Sequence, residues 1–139
     1  MSAPRTFVDT NIFVYAYDSS AGAKREAAGR AIAELWRSGT GLISTQVLQE
    51  LYVTLTRKIP RPLAPADAFE IIEDLTAWDI VVNDGGSVLE ASRLERQAKL
   101  SFWDALIVVA AERGGAEILL SEDLSQGRTF GGIRVANPF

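Results

Sequence analysis

Histidine and cysteine are both absent from the 139-residue sequence. Without Cys there is no disulfide, thiolate metal site or cysteine nucleophile. Without His the chain lacks the commonest general base and the commonest zinc ligand. Any metal site must be built from oxygen, which favours Mg²⁺ or Mn²⁺ over zinc. Long apolar runs are missing too: the longest, Ala105 to Ala111, is far too short to span a bilayer. The first residues, MSAPRTFV, lack the apolar core of a signal peptide, so the sequence predicts a cytoplasmic protein away from membranes. There is no basic surplus. The net charge is -4 and the pI about 4.8, outside the basic class of general nucleic-acid binders. Yet of the 14 cationic residues only Lys24, Lys58 and Lys99 are lysines, leaving 11 Arg, the side chain suited to forked phosphate contacts. Charge is therefore a weak veto.

What is present is the balance of a globular chain, 47% hydrophobic and 23% charged, long enough for one domain over residues 1–139. Thr6, Phe7 and Val8 have the composition of a short buried strand, with Asp9 where that strand runs out and Asn11 able to cap a following helix. Ala21 to Trp36 reads as an amphipathic helix, Leu42-Ile43 as a strand, and Ser44-Thr45 as a cap for a helix bearing Val47, Leu48, Leu51 and Leu55. That helix cannot pass Pro60 and Pro62, and Pro65 suits the first turn of the next, Ala66 to Ala77. Ile80 to Val82 is a strand, Asn83 to Gly86 a turn, and Val88 to Leu100 a helix. Ser101-Phe102-Trp103-Asp104 opens a helix that is apolar nearly all round and stops at Gly114-Gly115. Ile118 to Leu120 and Ile133 to Val135 are the last strands, the second after the turn Gly131-Gly132. There is no repeat, low-complexity tract or linker. Strands alternating with helices predict an α/β fold with a mainly parallel sheet.

In such a sheet the carboxyl ends of the strands and the amino ends of the helices share one edge, where ligands bind. Asp9 and Asp123 each follow a strand, Asp104 lies in the first turn of the apolar helix, and Glu50 can reach back from one turn deeper in its own. Four acids from four elements, at sequence gaps of 41, 54 and 19, are thus able to converge. Simpler roles exist for each: Asp9 as a turn residue, Asp104 as a cap, Glu50 as a solvated helix position, and Asp123 as a turn acid with Glu122 as rival ligand. A cluster of four carboxylates needs its charge offset by raised pKa values or bound cations, and hard divalent ions are the natural offset. Two ions would neutralise the cluster formally and one with several waters would also serve; the sequence does not choose. Trp36 and Trp78 are read as core residues, with a partner-binding groove as the alternative.

At these residues the chain resembles the PIN-domain ribonucleases, and more narrowly the VapC-type toxins of type II toxin–antitoxin pairs. The resemblance rests on FVDTNIFVYAYD, STQVLQELYVTLTRK, SFWDALIVVAA and ILLSEDLSQG in that order, with GGIRVANPF resembling the end of one subgroup. It implies a three-layer α/β/α sandwich around a parallel sheet of about five strands, order 3-2-1-4-5. It implies a Mg²⁺- or Mn²⁺-dependent endoribonuclease with one or two ions held by Asp9, Glu50, Asp104 and Asp123. Asn11 and Ser121 match supporting polar positions, and Ser125 stands near a place where the family usually has an acid or Asn. It further implies a homodimer and a cognate VapB-like antitoxin. Because no His is available, metal-activated water would attack the phosphodiester, giving 5′-phosphate and 3′-hydroxyl products. Candidates for gripping RNA are Arg57, Lys58 and Arg61, then Arg93, Arg96 and Lys99, and Arg128, each against the alternative of a solvated surface charge. A dehalogenase-like phosphatase would want Asp where Asn11 stands, and a receiver domain a Lys near the end of the sheet. The remaining rival is a PIN-like module that binds RNA or a partner without cutting.

Overall fold

The computed structural model describes residues 3–139. Its centre is β1 (Thr6–Val8), buried throughout and paired in parallel with β2 (Gly41–Ser44) on one side and β4 (Ile118–Leu120) on the other. Beyond β2 lies β3 (Asp79–Val81), and beyond β4 lies β6 (Ile133–Ala136), both parallel. The edge is completed by β5 (Thr129–Phe130), antiparallel to β6, so the order is β3-β2-β1-β4-β6-β5. The expected order 3-2-1-4-5 holds for the parallel strands, and the sheet has six strands rather than about five. The extra strand is two residues long, too short for any periodicity, and is turned back on β6 at Gly131 (φ +60°).

The crossovers carry α1 (Thr10–Tyr17) with α2 (Ala23–Ser38), α3 (Thr45–Arg57) with α4 (Pro65–Leu75), and α5 (Gly85–Ala98) with α6 (Phe102–Arg113). The strand order grows one way from β1 to β3 and then returns past β1 to β4. Right-handed crossovers therefore put the first four helices on one face and the last two on the other. The packing agrees: α1 lies on α2 and α3, α3 on α4, and α5 on α6. Residues Ala105 to Ala111 of α6 are all buried, as an all-round apolar helix requires. On the opposite face Trp78 stands edge-on to Phe13 (5.6 Å) and Trp36 (5.5 Å), over Gly41 at the start of β2. Trp78 is core, whereas Trp36 is 44% exposed. Among the described residues no helix is long and apolar enough to cross a membrane.

Two helix starts differ from expectation. Asp9, not Asn11, caps α1, its carboxylate accepting from the Thr10 N–H, which frees Asn11 for a distant partner. The segment read as a turn before α5 is already its cap: Asp84 and Ser87 exchange hydrogen bonds in a full capping box.

Candidate active site

The strand order reverses between β1 and β4, and the crevice at such a switch point is where open α/β sheets bind ligands. Here a cleft of about 650 Å³ opens at the carboxyl ends of those strands, and Asp9, Glu50, Asp104 and Asp123 all line it. The four acids from four separate elements do share one cavity.

Asp9 is anchored most firmly. Its backbone N–H donates to the Leu120 carbonyl (2.9 Å), continuing the β1–β4 ladder by one residue. Its carboxylate accepts from the Thr10 N–H (2.7 Å) and from Ser121 Oγ (2.8 Å), and Ser121 Oγ in turn accepts from the Asp123 N–H (3.2 Å). One buried hydroxyl therefore ties the first acid to the loop that carries the fourth. Asn11 completes that tie, its Nδ2 donating to Asp123 Oδ2 (2.9 Å) and its Oδ1 accepting from the Glu122 N–H (3.3 Å). Asn11 and Ser121 thus each hydrogen-bond to an acid of the cleft.

Glu50 is held by a group to which the sequence reading gave no role. Thr10 Oγ1 donates to Glu50 Oε1 at 2.7 Å, joining α1 to α3 across the cleft. The signal was a hydroxyl residue between Asp9 and Asn11 at the first position of α1, but its partner lies 40 residues away. Glu122, the rival to Asp123, turns aside: it accepts from Lys24 Nζ (2.5 Å) and Tyr15 OH (2.6 Å). Lys24 first and Tyr15 second hold its carboxyl below the usual range. Ser125 is exposed and, like Glu122, does not line the cleft.

Electrostatically the site is unbalanced. Among the described residues none of the four acids is ion-paired with Lys or Arg, while Glu34, Asp79, Asp84, Glu90 and Glu122 all are. Burial pushes the Asp9 carboxyl from 3.8 up to about 7, against the lowering effect of Ser121 and Thr10, and the charges of Asp123 and Asp104 add to the rise. Asp104 is also raised, first by burial and then by Asp123 and Glu50. A cavity lined by carboxylates with no cationic partner suits a cation, and the all-oxygen donors suit a hard one. The donor chemistry fits Mg²⁺ or Mn²⁺. As the side chains stand, however, no three acids among the described residues meet closely enough to hold one ion.

Of the cations proposed for RNA, Lys58 lines the cleft, just past the end of α3. Arg57, Arg96, Lys99 and Arg128 do not line it. Arg128 donates to the Ala98 carbonyl (2.8 Å) and lies over the Phe130 ring (4.7 Å), a role in holding the β5 hairpin to α5. Trp103, Val14, Val53 and Ile107 give part of the remaining lining a more apolar character.

A family model described as "PIN domain" matches residues 6–129. No curated protein is a significant match in sequence. Among solved structures, the chain is similar to a toxin–antitoxin complex from Klebsiella pneumoniae, with TM-score 0.72, 20% identity, and coverage of 96% of this chain and 98% of that one. It is similar to Mycobacterium tuberculosis VapC20, a sarcin–ricin loop cleaving toxin, with TM-score 0.63, 24% identity and coverage of 82% and 86%. It is also similar to DNA-bound VapBC from Salmonella typhimurium, with TM-score 0.65, 17% identity and coverage of 99% and 100%. At these identities the three likenesses establish the shared fold.

Proposed function

The chain belongs to the PIN-domain family, and on that premise we propose that it is a Mg²⁺- or Mn²⁺-dependent endoribonuclease acting as a VapC-type toxin. The observation that carries this reading is the cleft itself: four acids from four elements, none of them ion-paired among the described residues. Asp9, Glu50, Asp104 and Asp123 would hold the metal, whose bound charge favours ionisation of water and steadies the oxygen that leaves phosphorus. The chain's own residues set the geometry. Ser121 and the Thr10 N–H fix the rotamer of Asp9, Thr10 Oγ1 fixes Glu50, and Asn11 fixes Asp123. Lys58 sits at the cleft to meet a phosphate of the incoming strand. The bond formed joins water oxygen to phosphorus, and the bond broken frees the 3′ oxygen, which leaves as a hydroxyl and leaves 5′-phosphate on the other fragment. The 2′-hydroxyl takes no part.

The solved neighbours that are VapBC complexes support a VapB-like antitoxin as partner, and the proposal extends to a homodimer working in the cytoplasm. The test is incubation of the purified protein with a panel of structured RNAs. Cleavage is expected with Mg²⁺ or Mn²⁺, none with EDTA, and none with Asp104→Asn; end-labelling should find 5′-phosphate and 3′-hydroxyl termini. Cleavage that persists in EDTA would overturn the metal site. Growth arrest by Asp104→Asn equal to that of the intact chain, with no RNA cut, would favour a non-cleaving binding module.

The Thr10 contact gives a finer expectation. Thr10→Val keeps the shape and removes the donor to Glu50, so kcat/KM on any cleaved RNA should fall roughly tenfold, the worth of one hydrogen bond to a charged group. Stability should fall by only about 1 kcal/mol, which thermal melting in EDTA would check.

A further inference from the structure

The three tryptophans are not placed alike. Trp78 is buried with Phe13 and Trp36 against it, but Trp103 is 61% exposed and lines the acidic cleft. It occupies the first turn of α6, one residue before Asp104. Its place is fixed on both sides. The Trp103 carbonyl accepts from Gln46 Nε2 (3.3 Å), joining the turn to α3, and its ring stands edge-on to Phe102 (5.2 Å, 80°). An exposed indole gains little for the fold, because most of its apolar surface stays in water. Held beside a carboxylate cavity, it offers a rigid aromatic surface within a residue of the acids.

The cleft lining divides by chemistry. Asp9, Glu50, Asp104 and Asp123 can manage a phosphate through cations, whereas Val14, Val53 and Ile107 are wholly apolar and Trp103 is so over the faces of its ring. That apolar part suits a flat base. Gln46, in the same lining, is 4% exposed, and its Nε2 bond to the Trp103 carbonyl ties α3 to the turn that carries the indole. We propose that Trp103 is the stacking platform for an unpaired nucleobase next to the scissile phosphate, so that the cleft takes looped or single-stranded RNA. A base within a duplex already has both faces covered, and only an unpaired one can lend a face to the indole. The assignment rests on the ribonuclease reading for the word scissile, and on the geometry of the cleft for the rest.

Binding in the Asp9→Asn background with Mg²⁺ tests it without cleavage. The probes are a short fluorescent oligoadenylate, its abasic counterpart and a blunt RNA duplex, followed by anisotropy. Trp103→Leu should weaken oligoadenylate binding roughly tenfold or more, and Trp103→Tyr should restore most of it. The abasic strand should bind all three proteins with the weak affinity of the Leu variant. Equal affinity of Trp103→Leu and its parent for oligoadenylate would overturn the proposal, as would tight binding of the abasic strand or duplex. So would binding of none of the probes. Lost affinity accompanied by a changed sedimentation coefficient would also overturn it, assigning Trp103 to a contact between copies of the chain. The two readings fail separately. RNA cleaved as well by Trp103→Leu as by the parent sinks only the stacking platform, while base-dependent binding without cleavage by the intact chain sinks only the nuclease.

Discussion

Asp9→Asn is expected to abolish RNA cleavage, by roughly a hundredfold to a thousandfold or more, and at the same time to stabilise the metal-free fold at about pH 8. The two effects come from one cause. The Asp9 carboxyl has a pKa of about 7 in the folded chain against an ordinary value of 3.8, because burial opposes its charge. Between those values the folded protein holds a proton that the unfolded chain has lost. Stability from this group is therefore full below about pH 4, declines as pH rises, and is gone above about pH 7. At about 1.4 kcal/mol for each unit, three units amount to about 4 kcal/mol. Urea denaturation in EDTA should show the intact chain weaker at pH 8 than at pH 5, and the Asn variant should lack most of that slope. Adding Mg²⁺ or Mn²⁺ at pH 8 should restore stability to the intact chain by mass action and leave the variant little changed. A variant less stable than its parent at pH 8 would mean that the Asp9 charge is already compensated.

Gly41→Ala is expected to be the most damaging single methyl in the sheet. A Cβ there would lie 2.5 to 2.8 Å from three ring atoms of Trp78, well inside contact distance. The indole cannot simply move aside, because Phe13 and Trp36 stand edge-on to it. Overpacking of this kind costs about 1–3 kcal/mol, and a domain of this size loses roughly 3–5 °C for each. A drop of about 5–10 °C in Tm, with a shift in tryptophan emission, is the expected result. Trp78→Phe in the same chain should recover part of it, so that the double variant is less damaged than the two single effects added together. A melting temperature within about a degree of the parent would show that the ring has room.

The acids were legible in the sequence for a geometric reason. A parallel sheet sends every strand's carboxyl end to one edge, so Asp9 after β1 and Asp123 after β4 had to be close once the strands were placed. Asp104 announced itself as the acid immediately before a run that is apolar from Ala105 to Ala111. What could not be read is which neutral group each acid would take as partner. The Asn11 to Asp123 and Thr10 to Glu50 bonds depend on rotamers and on how α1 seats against α3 and the β4 loop, and no local pattern encodes those. The same holds for Glu122, which in sequence is indistinguishable from its neighbour until Lys24 and Tyr15 are seen to claim it. The cations proposed to grip RNA were the least legible, since a surface charge leaves no periodicity; for Arg128 no local pattern encodes its contacts with the Ala98 carbonyl and the Phe130 ring.

The pairing of β1 with β4 sets the moment at which the cleft can exist. Thr6 to Val8 meet partners at Ile118 to Leu120, and the hydroxyl that ties Asp9 to the fourth acid's loop comes from Ser121. A chain still being synthesised can pair β1 with β2 and β2 with β3 long before β4 leaves the ribosome. Until then Asp9 has neither its ladder bond to Leu120 nor its serine. Contacts this distant in sequence are also the slowest to close. Assembly of the acids therefore waits until β4 and Ser121 have been made.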